Sequence, residues 1–320
     1  MSQDKGVLIT GAGGYLGRQV VQALAGQEAP PRPLLALDIR LPPESERLTG
    51  VDYRQGDIRQ PGLEEHLAGV ETVVHLAAVV TPGKEADREF LYSVEVAGTE
   101  NLLRACLAAG VKRFIYTSSG AAYGYHPDNP QPLEEHHPLR GNQEFAYSHH
   151  KRLVEEMLAR WRQEHPELEQ LIFRPGTILG ATTNNQITAL FEKKVVLGIA
   201  GAPSPFVFIW DQDVVGAILK GIREGGSGIY NLAGDGTLTM AQIAEILGRP
   251  YLPLPAGLVA GALWLLQKLG LTRYGPEQVG FLRYRPVLSN RRLKEEFGYI
   301  PAKTTRQVFD YFLEHRRRGN

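Results

Sequence analysis

The sequence predicts an α/β protein: a doubly wound parallel sheet followed by a smaller, mostly helical C-terminal lobe. Three observations predict it. Short apolar runs alternate with helix-length amphipathic stretches from the N-terminus to Pro175. Three glycines, Gly11, Gly14 and Gly17, join the first apolar run to the first helical stretch. Beyond Pro175 the alternation stops, and from Thr237 the pattern is helical and rich in proline.

Taken in order, residues 5–10 read as a strand and 14–27 as a helix. A second strand, 34–38, is set off by the loop of Pro30, Pro31, Arg32 and Pro33. Residues 51–53 make a third, and 72–75 a fourth that is buried on both faces. Two helical stretches fill 84–109. The fifth strand is 113–117 and the sixth 171–174, with a helix over 146–164 between them. Residues 176–205 read as loop and one helix, while 206–209 and 229–232 read as strands. The expected division is therefore 1–175 as the sheet domain, with 206–235 returning to it. Residues 176–205 and 236–320 make a lobe that receives substrate.

Composition narrows the function. The chain has 320 residues, 43% of them hydrophobic, enough for a large core. Its 35 acidic residues balance 35 Lys plus Arg, so net charge draws it to neither nucleic acid nor an anionic membrane. Cys106 is the one cysteine, which excludes an intrachain disulfide and fits a reducing cytoplasm. Its place on an apolar helix face makes it core. The polar opening Met1, Ser2, Gln3, Asp4 is not that of a signal peptide. Residues 251–266 carry no charge but include Pro253 and Pro255, and the run is short for a span. A buried or interfacial helix is expected there.

The glycines sit where a phosphate-binding turn needs them, after a strand and before a helix. Gly11 permits the tight turn, Gly14 a close backbone approach to a pyrophosphate, and Gly17 close helix–strand packing. The helix N-terminus then favours the phosphate charge. Asp38 ends the second strand about 20 residues after Gly17, where a carboxylate accepts both ribose hydroxyls of NAD and repels a 2′-phosphate. Arg40 can partly rescue NADP, so NAD is favoured. Asp57 can accept from the adenine amino group. In the run Leu76, Ala77, Ala78 the alanines place small side chains at a strand end, where a flat cofactor can lie.

Tyr147 and Lys151 are one helical turn apart on one face, downstream of Ser119. A hydroxyl carbon gives up hydride readily only as its proton is removed, and a free tyrosine, with pKa about 10, is mostly protonated. A neighbouring ammonium and an oxidised nicotinamide favour the phenolate; lowering its pKa by about 3 units corresponds to roughly 4 kcal/mol. Tyr147 is then the acid/base, Lys151 its electrostatic partner, and Ser119 the hydrogen-bond partner of the reacting oxygen, with Thr117 and Ser118 as alternatives. A second Tyr-x-x-x-Lys spacing, Tyr299 and Lys303, has Pro301 inside it and does not form such a turn. His149 and His150 face apart on the helix with no carboxylate or thiolate cluster, and His136 and His137 are loop residues, so no metal is expected.

These residues, in this order, resemble the extended short-chain dehydrogenase/reductase family, including its NAD-dependent epimerase/dehydratase group. The resemblance runs from Gly6 to about Ala233. Besides the residues above it includes Gly98 and Thr99, Tyr116, Tyr123 and Gly124, Arg174 and Pro175, Asp213 and Val214, and Tyr230 to Leu232. It implies a Rossmann domain, a tightly held NAD and a Ser119/Tyr147/Lys151 triad. Tyr15, Leu16, Ile58 and Pro175 join the cofactor's surroundings. It also implies a C-terminal substrate lobe and a homodimer built by the helices around 84–109 and 146–164.

Departures from the family pattern bear on substrate. Glu95 stands where the family often has Asn in Asn-Val-x-Gly-Thr, His150 replaces a small residue, and Phe208 to Asp213 lacks the Arg-Asp-Phe lead-in of nucleotide-sugar enzymes. Asn184 and Asn185 can meet a sugar or diphosphate, as can Arg283, Arg285, Arg291 and Arg292. Two enzymatic readings follow from the resemblance. The first is an epimerase or dehydratase acting on a nucleotide sugar. The alternative is a 3β-hydroxysteroid-dehydrogenase-like enzyme acting on a less polar alcohol or ketone, favoured by the missing Arg-Asp-Phe and the apolar 252–266 run. A non-catalytic dinucleotide sensor is a minor third, since a sensor has no need of a base.

Overall fold

The computed structural model describes residues 5–79, 87–272 and 275–318. As far as Pro175 there are six strands, β1 (Gly6–Thr10), β2 (Leu34–Asp38), β3 (Asp52–Gln55), β4 (Val70–His75), β5 (Arg113–Thr117) and β6 (Glu169–Pro175), with α-helices after β1, β4 and β5 and short 3₁₀ turns after β2 and β3. Then come β7 (Thr177–Leu179), β8 (Val196–Ile199), β9 (Phe208–Trp210), β10 (Gly228–Leu232) and β11 (Tyr251–Leu254). The main sheet is seven-stranded and parallel, in the order β10-β6-β5-β4-β1-β2-β3. Chain order reverses between β1 and β4, and the crevice at the C-terminal ends of those strands is where such sheets bind ligands.

Alternation along each strand builds two cores. Leu8, Val73, Phe114, Tyr116 and Ile172 point to one face, under Leu102, Leu103 and Cys106 of α3 (Gly98–Ala108) and Val154 and Leu158 of α4 (Ala146–Glu164). Ile9, Val74, Ile115, Leu171 and Phe173 point to the other, under Val20, Val21 and Leu24 of α1 (Tyr15–Ala25) and Val214 and Ile218 of α5 (Asp211–Glu224). Cys106 is thus core, as its helix face implies.

The helical reading of 84–109 holds from residue 88, and residues 84–86 lie outside the described residues. The stretch is not one regular helix. Asp87 caps α2 (Arg88–Tyr92) by accepting the Phe90 N–H at 2.7 Å, and a π-helical turn, Ser93–Ala97, joins α2 to α3. The wide turn carries Glu95 into the protein, where it is 3% exposed.

β10 joins the main sheet beside β6, which returns the chain to it as the pattern of 229–232 suggests. Two expectations shift. The 176–205 stretch holds two short strands and a 3₁₀ turn, Thr188–Glu192, because β7 finds a parallel partner in β9 and β8 one in β11. The 251–266 run divides at Pro255 into β11 and a helix, α7 (Ala256–Lys268). The remaining helices are α6 (Met240–Leu247), α8 (Gln278–Arg283), α9 (Arg291–Glu295) and α10 (Thr305–Arg318). Phe191, Phe206, Phe208, Phe309 and Phe312 form an aromatic core between α10 and β9.

Candidate active site

The glycine turn is fixed by contact. Gly11 has φ +68°, and a Cβ there would lie 2.6 Å from the Ala77 nitrogen. A Cβ on Gly17 would lie 2.1 Å from the Gly11 oxygen, so α1 approaches β1 only because both are glycine. α1 starts at Tyr15 with Gly14 as its cap residue, leaving the first-turn N–H groups directed at the crevice. The Asp38 carboxylate bounds the same loop: Oδ2 accepts the Gly13 N–H at 2.9 Å and Oδ1 the Arg40 N–H at 3.2 Å. This turn and carboxylate fit a dinucleotide.

The other cofactor-side residues divide. Ile58 is buried against Gly98, Pro175 closes β6, and Leu76, Ala77 and Ala78 stand half-buried just beyond β4. Leu16 packs into the α1 face of the core. Asp57 is clamped by Arg59, whose side-chain hydrogen bonds hold the carboxyl below the usual aspartate range. An adenine amino group would share those oxygens with Arg59. The Tyr15 hydroxyl donates to Asp211 at 2.6 Å and accepts from Thr183 at 2.9 Å, fastening the glycine turn to the start of α5. Burial first, then the Asp211 bond, pushes its pKa up to about 12.

The start of α4 is pinned to the loop after β5. Ser148 Oγ donates to the Ala121 carbonyl at 2.6 Å and accepts the Asn142 N–H at 3.0 Å. That brings the first turn of α4, with Tyr147 half-buried, to the 3₁₀ turn that Ser119 caps. The Lys151 ammonium lies 5.6 Å from the Tyr147 ring centre. Lys151 donates to the Tyr116 hydroxyl at 3.0 Å and the Thr117 carbonyl at 3.3 Å, and pairs with Glu95 at 3.4 Å. Burial works against its charge. Tyr116, Glu95 and Tyr147 outweigh burial and hold its pKa above the ordinary lysine value. Burial in turn pushes the Tyr116 hydroxyl far up, so it stays a neutral acceptor for Lys151.

The three hydroxyls after β5 are now distinguishable. Ser118 is 2% exposed and donates to Glu155 at 2.5 Å, completing a buried cluster in which Arg174 grips both Glu155 oxygens. Thr117 Oγ1 is buried without a hydrogen-bond partner. Ser119 is half-buried and its oxygen accepts the Ala121 N–H at 3.1 Å, which leaves its proton to donate. Of the three, Ser119 is the half-buried one whose hydroxyl proton is left to donate.

His75 lies beneath the site. Thr99 Oγ1 donates to the Glu95 carbonyl at 2.6 Å, so it accepts from His75 Nε2 at 2.9 Å. His75 Nδ1 is then the acceptor for Thr10 Oγ1 at 2.7 Å. Burial, helped by the Lys151 charge, pulls the His75 pKa down to about 3. It is a neutral strut joining β1, β4 and α3.

Of the substrate candidates, Asn184 is exposed, and the Asn185 side-chain oxygen accepts the Ile187 and Thr188 N–H groups, capping the 3₁₀ turn. Arg291 and Arg292 pair with Glu134 and Glu296, and Arg283 lies over the Tyr284 ring. Arg285 is different. It is 6% exposed, its Nε and Nη2 have no partner, and its guanidinium lies 3.8 Å from the Phe206 ring centre and 4.5 Å from that of Phe281. Phe281 packs on Tyr125 at 4.8 Å and on Phe145 at 5.8 Å, and the Tyr125 hydroxyl feels both Arg285 and Tyr147. Reading the sequence missed the roles of Glu95, Tyr116 and His75. For Arg285 it offered no signal beyond a charged run. Among the described residues no cluster of three or more potential metal ligands occurs.

A hollow of about 530 Å³ between α3 and α4, lined by Arg104, Leu107, Trp161 and His165, is not this site. Trp161 stands fourteen residues along α4 from Tyr147, about 21 Å away. The constellation at the strand ends, with its acid/base-capable groups, is the better candidate.

Comparisons with known proteins identify the family and the fold. The model of the NAD dependent epimerase/dehydratase family matches residues 7–233. Sterol demethylase protein B of Methylococcus capsulatus is 28% identical over 98% of this chain and 98% of its own. The N-acetyl-alpha-D-glucosaminyl-diphospho-ditrans,octacis-undecaprenol 4-epimerase of Escherichia coli O157:H7 is 28% identical over 81% of this chain and 82% of its own. The structure of MoeE5 in complex with UDP-glucuronic acid and NAD superposes with TM-score 0.74 at 23% identity, covering 98% of this chain and 100% of that one.

Proposed function

The chain belongs to the NAD-dependent epimerase/dehydratase family of extended short-chain dehydrogenases/reductases, and on that premise we propose that it acts on a hydroxyl-bearing carbon of a sugar joined to a diphosphate, a nucleotide sugar above all. NAD, held by the glycine turn and Asp38, would supply a hydride acceptor beside that carbon. Tyr147 receives the hydroxyl proton, Lys151 supplies the positive charge that favours its phenolate, and Ser119 donates to the reacting oxygen. Simple epimerisation would leave no net NADH.

Arg285 carries the reading. Burial pulls the pKa of this guanidinium down to about 10. It has two unpartnered nitrogens, and among the described residues no carboxylate pairs with it. Such a group is costly unless an anion meets it, and the aromatic wall of Phe281 and Tyr125 joins it to the Tyr147 side of the site. The names of the Escherichia coli relative and of the MoeE5 complex, each a sugar carried on phosphate, support the same class.

A second reading is a 3β-hydroxysteroid-dehydrogenase-like oxidation of a less polar alcohol. The full-length similarity to sterol demethylase protein B and the aromatic wall of Phe145 and Phe281 favour it. Release of cofactor from freshly purified protein, followed by melting with UDP-sugars and with UDP alone, decides between them. Copurified NAD and a shift with UDP support the sugar diphosphate. Absence of both, with net NADH formed from an apolar alcohol, supports the second reading.

A further inference from the structure

α7 has no buried residue. Ala256, Val259, Ala260 and Leu263, at helical spacing, form its partly covered face, and the opposite side is as apolar as the inner one. Leu258 is 60% exposed, Trp264 53% and Leu265 52%; Leu269 and Leu271 beyond the helix are 62% and 72% exposed. The neighbouring strands extend the patch, since Leu197 and Leu252 are directly paired across β8 and β11 and both are exposed. Nine of the sixteen exposed large apolar side chains among the described residues lie in this one region. A helix apolar on every side belongs in a core or in lipid.

The charges on the segments that carry it are one-sided. From Lys193 to Trp210, and from Ile246 to Pro276, the sequence contains no Asp or Glu. Glu192, just before the first, is held by Arg316, and Glu245 stands just before the second. The described residues of these segments include Lys193, Lys194, Arg249 and Lys268. The balanced total charge of the chain hides this local excess. A second copy docking through the same patch about a twofold axis would bring one basic rim against another. An anionic lipid surface complements both the apolar face and the rim.

We infer that α7 and the β8–β11 edge dock into the surface of an anionic lipid bilayer. At 13 residues α7 is about 20 Å long, short of the roughly 30 Å hydrocarbon core. No helix among the described residues is long and apolar enough to cross a membrane. The helix therefore lies within one leaflet, with Trp264 at the headgroup level and Lys268 toward the phosphates. α7 packs on α8, and α8 carries Phe281 of the aromatic wall beside Tyr147. Docking brings the bilayer one helix away from the site. This inference does not depend on whether the substrate is a sugar diphosphate.

The test is sedimentation of the full-length protein with vesicles of phosphatidylcholine containing a minor share of phosphatidylglycerol, and with vesicles of phosphatidylcholine alone. Light scattering alongside gives the oligomeric state. The wild type should sediment with the anionic vesicles, less at high salt, and its tryptophan emission should shift to the blue in a way that Trp264→Phe abolishes. The double variant Leu258→Glu/Leu265→Glu, altered only on the exposed face, should bind at least tenfold more weakly while melting at the wild-type temperature. Wild-type protein that stays in the supernatant with both vesicles overturns the inference. So does binding that the double variant retains, or an oligomer in vesicle-free solution that the double variant dissolves.

Discussion

The Lys151 ammonium lies 3.4 Å from the Glu95 carboxylate, with both side chains at most 3% exposed. The other Glu95 oxygen accepts the Val79 N–H at 2.6 Å, so one carboxylate ties the loop after β4 to the lysine of α4. A negative charge there opposes the positive field that Lys151 exerts on Tyr147.

Replacing Glu95 by Gln removes that charge and keeps an oxygen for the Val79 N–H. Two effects are expected. Breaking one side of a buried pair destabilises the fold by about 3 kcal/mol in urea unfolding. The field of Lys151 is also unopposed, which favours the phenolate, so the acid limb of the kcat profile should move down by about 1 pH unit. A destabilised variant with an unmoved limb would make Glu95 a purely structural partner of Lys151.

Ser118 and Ser119 should separate stability from turnover. Ser118→Ala strips a hydrogen bond from Glu155 inside the Arg174 cluster and should cost about 2 kcal/mol of stability. Its effect on kcat should be small. Ser119→Ala loses only the bond to the Ala121 N–H, so melting should change little, while kcat falls about 100-fold. The reverse pattern would move the role to Ser118.

The sheet and the glycine turn were legible because local pattern decides them. Val73 and Val74 point to opposite faces by strand alternation alone, Gly11 is required by its positive φ, and Gly17 by its contact with the Gly11 carbonyl. What stayed hidden depends on long-range packing. Whether Glu95 faces solvent or Lys151 depends on a π turn that shifts the helical phase. Arg291 is exposed and paired with Glu134, whereas Arg285 is buried against Phe206 and Phe281. The uncharged 251–266 run reads as a helix, buried or interfacial. The register of β8 against β11, which takes Tyr251–Leu254 out of it, could not be seen in composition.

Asp38→Ala should weaken NAD about 10- to 100-fold, the scale of losing hydrogen bonds to a charged group. NADP binding should fall far less, because the same change removes repulsion of a 2′-phosphate. Some loss for both is expected, since the Gly13 N–H also loses its acceptor. Isothermal titration with each nucleotide measures the two; equal weakening would remove Asp38 from the ribose.

His75 should leave a signature in the pH dependence of stability. Its native pKa is pulled down to about 3, whereas in the unfolded chain it titrates near the ordinary value of about 6.5. Above that ordinary value neither state holds the proton, and His75 imposes no penalty. As the pH falls below it, the unfolded chain takes up a proton that the native imidazole, donating from Nε2 and accepting at Nδ1, refuses until about 3. Stability should therefore drop through this window by up to about 1.4 kcal/mol per pH unit from this residue. Carboxylates contribute there too, so the readout is the difference between wild type and His75→Gln in urea unfolding from pH 7 to 4. The variant should be less stable at pH 7, having lost the Thr10 and Thr99 geometry, and the gap should narrow steadily toward pH 4. A gap that stays constant would mean that His75 is not held neutral.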